Sequence, residues 1–212
     1  MRLDRRSFIR GAATVTGVVA GGWLGLAGTQ SAATPCLRPP GALPEDEFLA
    51  ACIRCGRCAD ACPNRCITSF SEASGRELSL APSAQQYGTP VIFPRRQACM
   101  LCADVDGDTL RCTSACPTGA LQPVSKEVEA IRAGVRMGTA EVDTKLCYSF
   151  NGASCGVCVR ACPLEGSALR AGLWEKPLVD PDVCIGCGLC ERSCVRYPQA
   201  IRVRPNLDRG VA

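Results

Sequence analysis

Histidine is absent from the sequence. The commonest general base near neutral pH goes with it, and so does the commonest nitrogen ligand for metals. Haem attachment through C-x-x-C-H is excluded, as is a Rieske centre, which needs two histidines. Aromatic residues are scarce, at 5% of the chain, although apolar residues reach 47%. That is thin material for a large conventional core. Neither a phosphate loop nor a G-x-G-x-x-G nucleotide fingerprint occurs, and no catalytic constellation can be assembled.

Charge of one sign is also lacking once the N-terminus is set aside. The formal net charge is +4, but Arg2, Arg5, Arg6 and Arg10 face only Asp4 within the first ten residues. Beyond residue 33 there are 20 basic and 19 acidic residues. A near-neutral body gives no electrostatic case for nucleic acid. Arg192, Arg196, Arg202, Arg204 and Arg209 leave two readings, a patch for an acidic partner or a solvated face, and the solvated face is the simpler.

Residues 4–10 read Asp-Arg-Arg-Ser-Phe-Ile-Arg, and an apolar stretch with six glycines follows from Gly11 to Gly28. This resembles a twin-arginine export signal. Ser31-Ala32-Ala33 supplies a small-residue cleavage site, with the cut after Ala33. The alternative is an uncleaved membrane anchor, for which so many glycines make a weak span. Proteins on this route generally fold before crossing the membrane, which suits a cofactor assembled in the cytoplasm.

What the chain has in excess is cysteine, 18 residues of 212. Seventeen lie in four groups. The first is Cys52, Cys55, Cys58 and Cys62, then Pro63, with Cys66 just beyond. The second is Cys99, Cys102, Cys112 and Cys116, then Pro117. The third is Cys147, Cys155, Cys158 and Cys162, then Pro163. The fourth is Cys184, Cys187, Cys190 and Cys194, with Val195 in place of proline. The first and fourth have the full C-x2-C-x2-C-x3-C spacing; the second stretches its middle gap with "ADVDGDTLR" and the third its first gap with "YSFNGAS". A pattern repeated four times is far stronger than one C-x-x-C.

A [4Fe–4S] cluster needs one thiolate at each of four iron corners. Three cysteines spaced by two residues let a short loop wrap one cluster. Gly56, Gly186 and Gly188 give the backbone the necessary freedom. In two-cluster ferredoxins the fourth cysteine ligates the other cluster. Sixteen cysteines thus make ligands for four [4Fe–4S] clusters, on either of two wirings: groups one with two and three with four, or the nested one with four and two with three. Structural zinc sites usually split their ligands into two separated pairs, and a disulfide knot fits adjacent C-x-x-C positions poorly. Asp104–Asp108 superficially matches a calcium loop but lacks glycine at 109 and glutamate at 115, so it reads as a solvated loop. Cys36 and Cys66 remain. They are either a disulfide stapling the N-terminal segment to the first cluster region, or two unrelated thiols, one an occasional substitute ligand.

The predicted fold is α+β: tandem, duplicated bacterial ferredoxin-like modules of short strands and short helices. Residues 1–33 are the signal, 34–46 a linker, 47–124 the region of groups one and two, 125–139 a helical connector, and 140–212 the region of groups three and four. Short β-like runs occur at Val91–Phe93, Ala140–Val142, Leu178–Val179 and Ala200–Val203. "ALRAGLWEKPLVD" reads as a hairpin. A short helix spans 125–134, with Ser125 as N-cap. Residues 67–90 read as loop.

With the signal, "LRPPGALPEDEF" (Leu37–Phe48) and this order of spacings, nearly the whole chain resembles the MauM/NapG family of exported ferredoxin-type proteins. The resemblance implies four [4Fe–4S] clusters in the periplasm, a twin-arginine export machinery that delivers the chain, and no catalysis of its own. It implies electron transfer between a membrane iron–sulfur, quinol-oxidising partner and a periplasmic redox enzyme or cytochrome, of nitrate reductase or methylamine utilisation type. A non-catalytic maturation factor for such an enzyme is the alternative, and a cluster-bearing subunit of a larger reductase a third possibility.

Overall fold

The computed structural model describes residues 34–76 and 79–206. The expected export signal lies outside the described residues, as does Arg209. Among the described residues no helix is long and apolar enough to cross a membrane.

The chain folds as two halves of one design. The N-terminal half carries α1 (Glu45–Ala51), α2 (Arg57–Asp60), β1 (Ile67–Ser69), α3 (Glu72–Gly75), β2 (Pro90–Ile92) and α4 (Arg111–Ser114). A connecting helix, α5 (Val128–Gly134), leads on. The C-terminal half carries β3 (Gly138–Val142), α6 (Val157–Arg160), β4 (Leu169–Ala171), β5 (Pro177–Val179), α7 (Leu189–Ser193) and β6 (Ile201–Pro205). Two 3-10 turns, Tyr148–Phe150 and Leu173–Glu175, sit among them. The mixture of small strands and helices is that of tandem ferredoxin-like modules.

All strand pairs are antiparallel. In the C-terminal half β3 pairs with β6, from Gly138 opposite Pro205 to Val142 opposite Ile201. Nested between them is the expected hairpin, β4 with β5, which joins the third and fourth cysteine groups. In the N-terminal half β1 pairs with β2, Ile67 opposite Ile92. The outer pair there shrinks to one bridge between Ala42 and Leu121. The twofold alternation of a strand divides β2: Ile92 joins Ile67 in the main core, while Val91 packs with Phe70, Phe93 and Cys36.

Few of the core side chains are large. Phe48, Leu110, Leu121, Val135, Ile185 and Ile201 form one cluster whose remaining members include cysteines of the first, second and fourth groups, with Cys158 and Cys162 of the third packed against it. The shortage of aromatics is thus met by packing aliphatic residues around the thiols.

Three expectations change. Residues 67–90 are not all loop, because they contain β1 and α3. A three-residue strand is too short to display alternation, and the N-terminus of α3 is closed by a reciprocal pair of serines: Ser71 Oγ accepts from Ser74 N at 3.2 Å and Ser74 Oγ from Ser71 N at 2.8 Å. The helix expected over 125–134 begins only at Val128. Ser125 instead bridges Thr109, and Lys126 N donates to Asp108 O at 2.8 Å, so the chain is tied to the preceding loop before it can turn helical. Residues 36–41, expected within a linker, are buried in the N-terminal half. Buried Arg38 holds them there. It pairs with Glu45 through Nη2 at 2.6 Å, donates from Nη1 to Thr89 Oγ1 at 2.7 Å and to Pro90 O at 3.0 Å, and covers the Phe48 ring. Gln86 Nε2 completes the set with a 2.8 Å bond to Glu45. Burial opposes the charge of Glu45, yet the hydrogen bonds and charge of Arg38 hold its carboxyl below the usual range.

Candidate cluster sites

Each cysteine group builds the same local frame. Its third cysteine lies within a four- or five-residue helix: Cys58 in α2, Cys112 in α4, Cys158 in α6 and Cys190 in α7. Its fourth cysteine stands four residues on, a displacement of about 6 Å along a helix axis. That step carries the fourth thiol away from its own loop toward a neighbouring one. Helices α2 and α4 pack together, as do α6 and α7, so the steps cross in pairs.

The result is four cavities with a shared rule of assembly. The first is lined by Cys52, Cys55 and Cys58 with Cys116. The second is lined by Cys99, Cys102 and Cys112 with Cys62, and also by Cys66. The third is lined by Cys147, Cys155 and Cys158 with Cys194. The fourth is lined by Cys184, Cys187 and Cys190 with Cys162. All sixteen expected ligand positions therefore line cavities, and the side chains group as one with two and three with four. Among the described residues no Cys, Asp and Glu side chains converge as the ligands of a single metal ion do; the thiols surround a volume instead.

The loops turn inward through left-handed backbone. Gly56, Gly156 and Gly188 lead into α2, α6 and α7 with φ of 78°, 60° and 83°. The second loop does it differently, with Leu101 and Cys102 both at φ 53°, because its long insertion delivers α4 from an extended Leu110. Gly186 has a second constraint: a Cβ there would lie 2.3 Å from Gly138 N. The insertion itself, Asp104, Asp106 and Asp108, is exposed, as expected of a solvated loop.

Burial raises several of the cavity thiols, while hydrogen bonds lower Cys62, Cys99 and Cys116. Burial pushes the thiols of Cys58 and Cys158 up to about 11 and that of Cys187 up to about 12. Burial, then neighbouring thiols, raise Cys112 and Cys190 as well. Thiolates there are unfavourable unless positive charge sits among them, and thiolate is the soft donor that selects iron–sulfur clusters. Backbone N–H groups already point at sulfur, from Leu121 to Cys116 at 3.4 Å, Arg111 to Cys102 at 3.5 Å and Ala140 to Cys184 at 3.5 Å. The donor sets fit a cluster in each cavity.

The cavities stand in a row. The first adjoins the second where α2 packs on α4. Cys99 N of the second donates to Cys187 O of the fourth at 2.9 Å. The third adjoins the fourth where α6 packs on α7. The order is first, second, fourth, third. Cys99, Cys112, Cys187 and Cys190 in the middle are buried, whereas Cys55 at one end is exposed.

Cys66 was the position least legible in the sequence. Its sulfur lies 3.5 Å from that of Cys62. The hydrogen bond between the two sulfurs draws the Cys62 thiol below its ordinary range. Cys36 lies in the small separate cluster with Phe70 and Phe93, its thiol pushed up to about 12 by burial. Both are free thiols, so no disulfide staples the N-terminal segment.

Family models match three stretches: a 4Fe-4S dicluster domain over residues 51–120 and a 4Fe-4S binding domain over 151–168 and again over 177–194. Among curated proteins, the methylamine utilization ferredoxin-type protein MauM of Paracoccus denitrificans is 38% identical, over 99% of this chain and 91% of its own length. The MauM of Methylophilus methylotrophus is 40% identical over 84% of this chain and 75% of its own length. The ferredoxin-type protein NapG of Escherichia coli is 36% identical over 97% of this chain and 88% of its own length.

Proposed function

This chain belongs to the family of ferredoxin-type proteins represented by MauM and NapG, and from that premise we propose that it carries electrons through four [4Fe–4S] clusters, one in each cavity. As a ferredoxin-type protein it is an electron carrier and not an enzyme. One observation carries the four-cluster reading: every cavity gathers three cysteines from one group and the fourth from its partner. Such clusters take up and release one electron each, at potentials set by hydrogen bonds to sulfur, net charge and burial.

The chain's own residues supply those controls. The N–H groups of Leu121, Arg111 and Ala140 donate toward sulfur, and aliphatic walls such as Leu110, Ile185 and Val203 keep water from the two middle cavities. Electrons enter and leave at the ends of the row. Ile53 and Cys55 are exposed at the first cavity, and Tyr148 and Val195 at the third. A membrane iron–sulfur, quinol-oxidising protein meets one end and a periplasmic redox enzyme or cytochrome the other, in a system of methylamine utilisation or nitrate reductase type. Residues 1–33 deliver the chain to the periplasm by the twin-arginine route.

Anaerobically purified protein is expected to contain about sixteen iron and about sixteen acid-labile sulfide per chain. Zinc with negligible sulfide would sink the reading. Cys187→Ala and Cys194→Ala should remove two different EPR signals, from the fourth and third cavities. Loss of one and the same signal would show that the fourth cysteine does not cross.

A further inference from the structure

The second cavity has five thiols for four corners, and the additional one is Cys66. The two crossing cysteines of the N-terminal half show how it got there. Cys116 is followed by Pro117, Thr118, Gly119, Ala120 and Leu121; Cys62 is followed by Pro63, Asn64, Arg65, Cys66 and Ile67. Both segments pass through left-handed backbone at the third residue after the cysteine, Gly119 at φ 72° and Arg65 at φ 49°. The next residue is then turned into the cavity: Ala120 into the first, Cys66 into the second. Buried Cys66 thus stands where the duplicated frame places an alanine methyl, and its sulfur lies 3.5 Å from Cys62 Sγ in the cavity that Cys99 also lines.

We propose that Cys66 is a second ligand-competent thiol at the corner of the second cluster assigned above to Cys62. The proposal rests on the four-cluster reading. The exchange is balanced without a redox partner. Cys66 gives up its proton as its sulfur takes the corner, Cys62 takes a proton as it leaves, and no electron moves. The first cavity has no such reserve, because Ala120 has no donor atom.

The experiment compares iron and acid-labile sulfide per chain, with EPR, in the anaerobically purified full chain and in Cys62→Ala, Cys66→Ala, the double variant and Cys116→Ala. Cys62→Ala and Cys66→Ala should each keep about sixteen iron, while the double variant and Cys116→Ala should fall to about twelve. Cys62→Ser repeats the measurement with a side chain closer in size, so that a packing defect at Ala does not decide the outcome. A fall to about twelve in both Cys62 variants overturns the proposal, as does a double variant or a Cys116→Ala variant that keeps all its iron. A Cys62–Cys66 disulfide in the intact holoprotein also overturns it. Wild-type protein without iron fails earlier and takes the cluster reading with it, whereas full wild-type iron with depleted Cys62 variants sinks only the role of Cys66.

Discussion

In the C-terminal half the strand before one cysteine group lies beside the strand after the next for five residues, Gly138 to Val142 against Ile201 to Pro205. In the N-terminal half the same relationship is a single bridge between Ala42 and Leu121. Pro39 and Pro40 precede that bridge. Proline has no N–H to give a ladder, so hydrogen bonding cannot run back along the chain. The N-terminal half replaces the ladder with side chains: Arg38, Glu45, Gln86 and Thr89 tie the incoming segment to the approach of β2. One design is therefore closed by backbone in one copy and by a buried charged network in the other.

The loops of the first and fourth groups repeat the contrast. Gly186 and Arg54 occupy equivalent places, one residue before the second cysteine. Gly186 is pressed on the backbone of Gly138, while Arg54 holds φ 57° at the surface and donates to Tyr87 O at 3.0 Å and Gln85 O at 2.7 Å. Gly186→Ala should thus produce the largest effect. A Cβ 2.3 Å from Gly138 N forces β3 from the fourth loop, and a loss of about 4 kcal/mol or more is expected, as for other severe core clashes. Thermal unfolding should show it as a fall of roughly 10 °C. A wild-type melting temperature would mean that the fourth loop is not pressed on β3 at this point.

Arg38→Ala tests the other copy. Removing one partner of a buried ion pair typically destabilises by about 3–5 kcal/mol, read by denaturant unfolding of the holoprotein. The sign with pH follows from Glu45. Its carboxyl is held below its ordinary value of 4.5, so the contribution is full above that value and is lost as pH falls through the lowered one. An Arg38→Ala chain as stable as wild type at neutral pH would leave the network without its closing role.

Gly56→Ala should have a smaller effect than Gly186→Ala, although both residues flank the second cysteine of their group. Nothing lies within 4 Å of a Cβ at Gly56, and only its φ of 78° opposes the side chain; the expected loss is about 1–2 kcal/mol. Equal losses at 56 and 186 would put the difference between the halves down to backbone conformation rather than packing. Arg204→Ala should have the smallest effect. Its pairing with Glu141 is 3.3 Å long with both side chains more than half exposed, and such pairs contribute about 0.2–1 kcal/mol. Screening by salt should abolish what difference there is.

Much of this was legible in the residues because it is local. The C-x2-C-x2-C spacing with glycine beside it specifies a loop around a common centre. The hairpin over Ala168–Asp180 announced itself in the same way, by β-like ends a few residues apart. Three elements stayed hidden. β1 offers three residues and no visible period. Arg38 looked like one more charge in a proline-rich linker, since its partners Thr89 and Pro90 are some fifty residues away. Cys66 differed from an accessory thiol only by standing where the other copy has Ala120, a correspondence that the unequal spacings obscure.

By itself the sequence determined the number of thiols, their grouping into four short loops, and the donor chemistry of each loop, because those depend on bonds and turns within a dozen residues. Only the tertiary structure decided which fourth cysteine crosses to which cavity, the order of the cavities in a row, and the placing of Cys66 beside Cys62 and Cys99. Those follow from the packing of α2 on α4, of α6 on α7 and of Cys99 on Cys187. Contacts at long sequence separation are set by which buried surfaces fit together, and residue spacing carries no record of that.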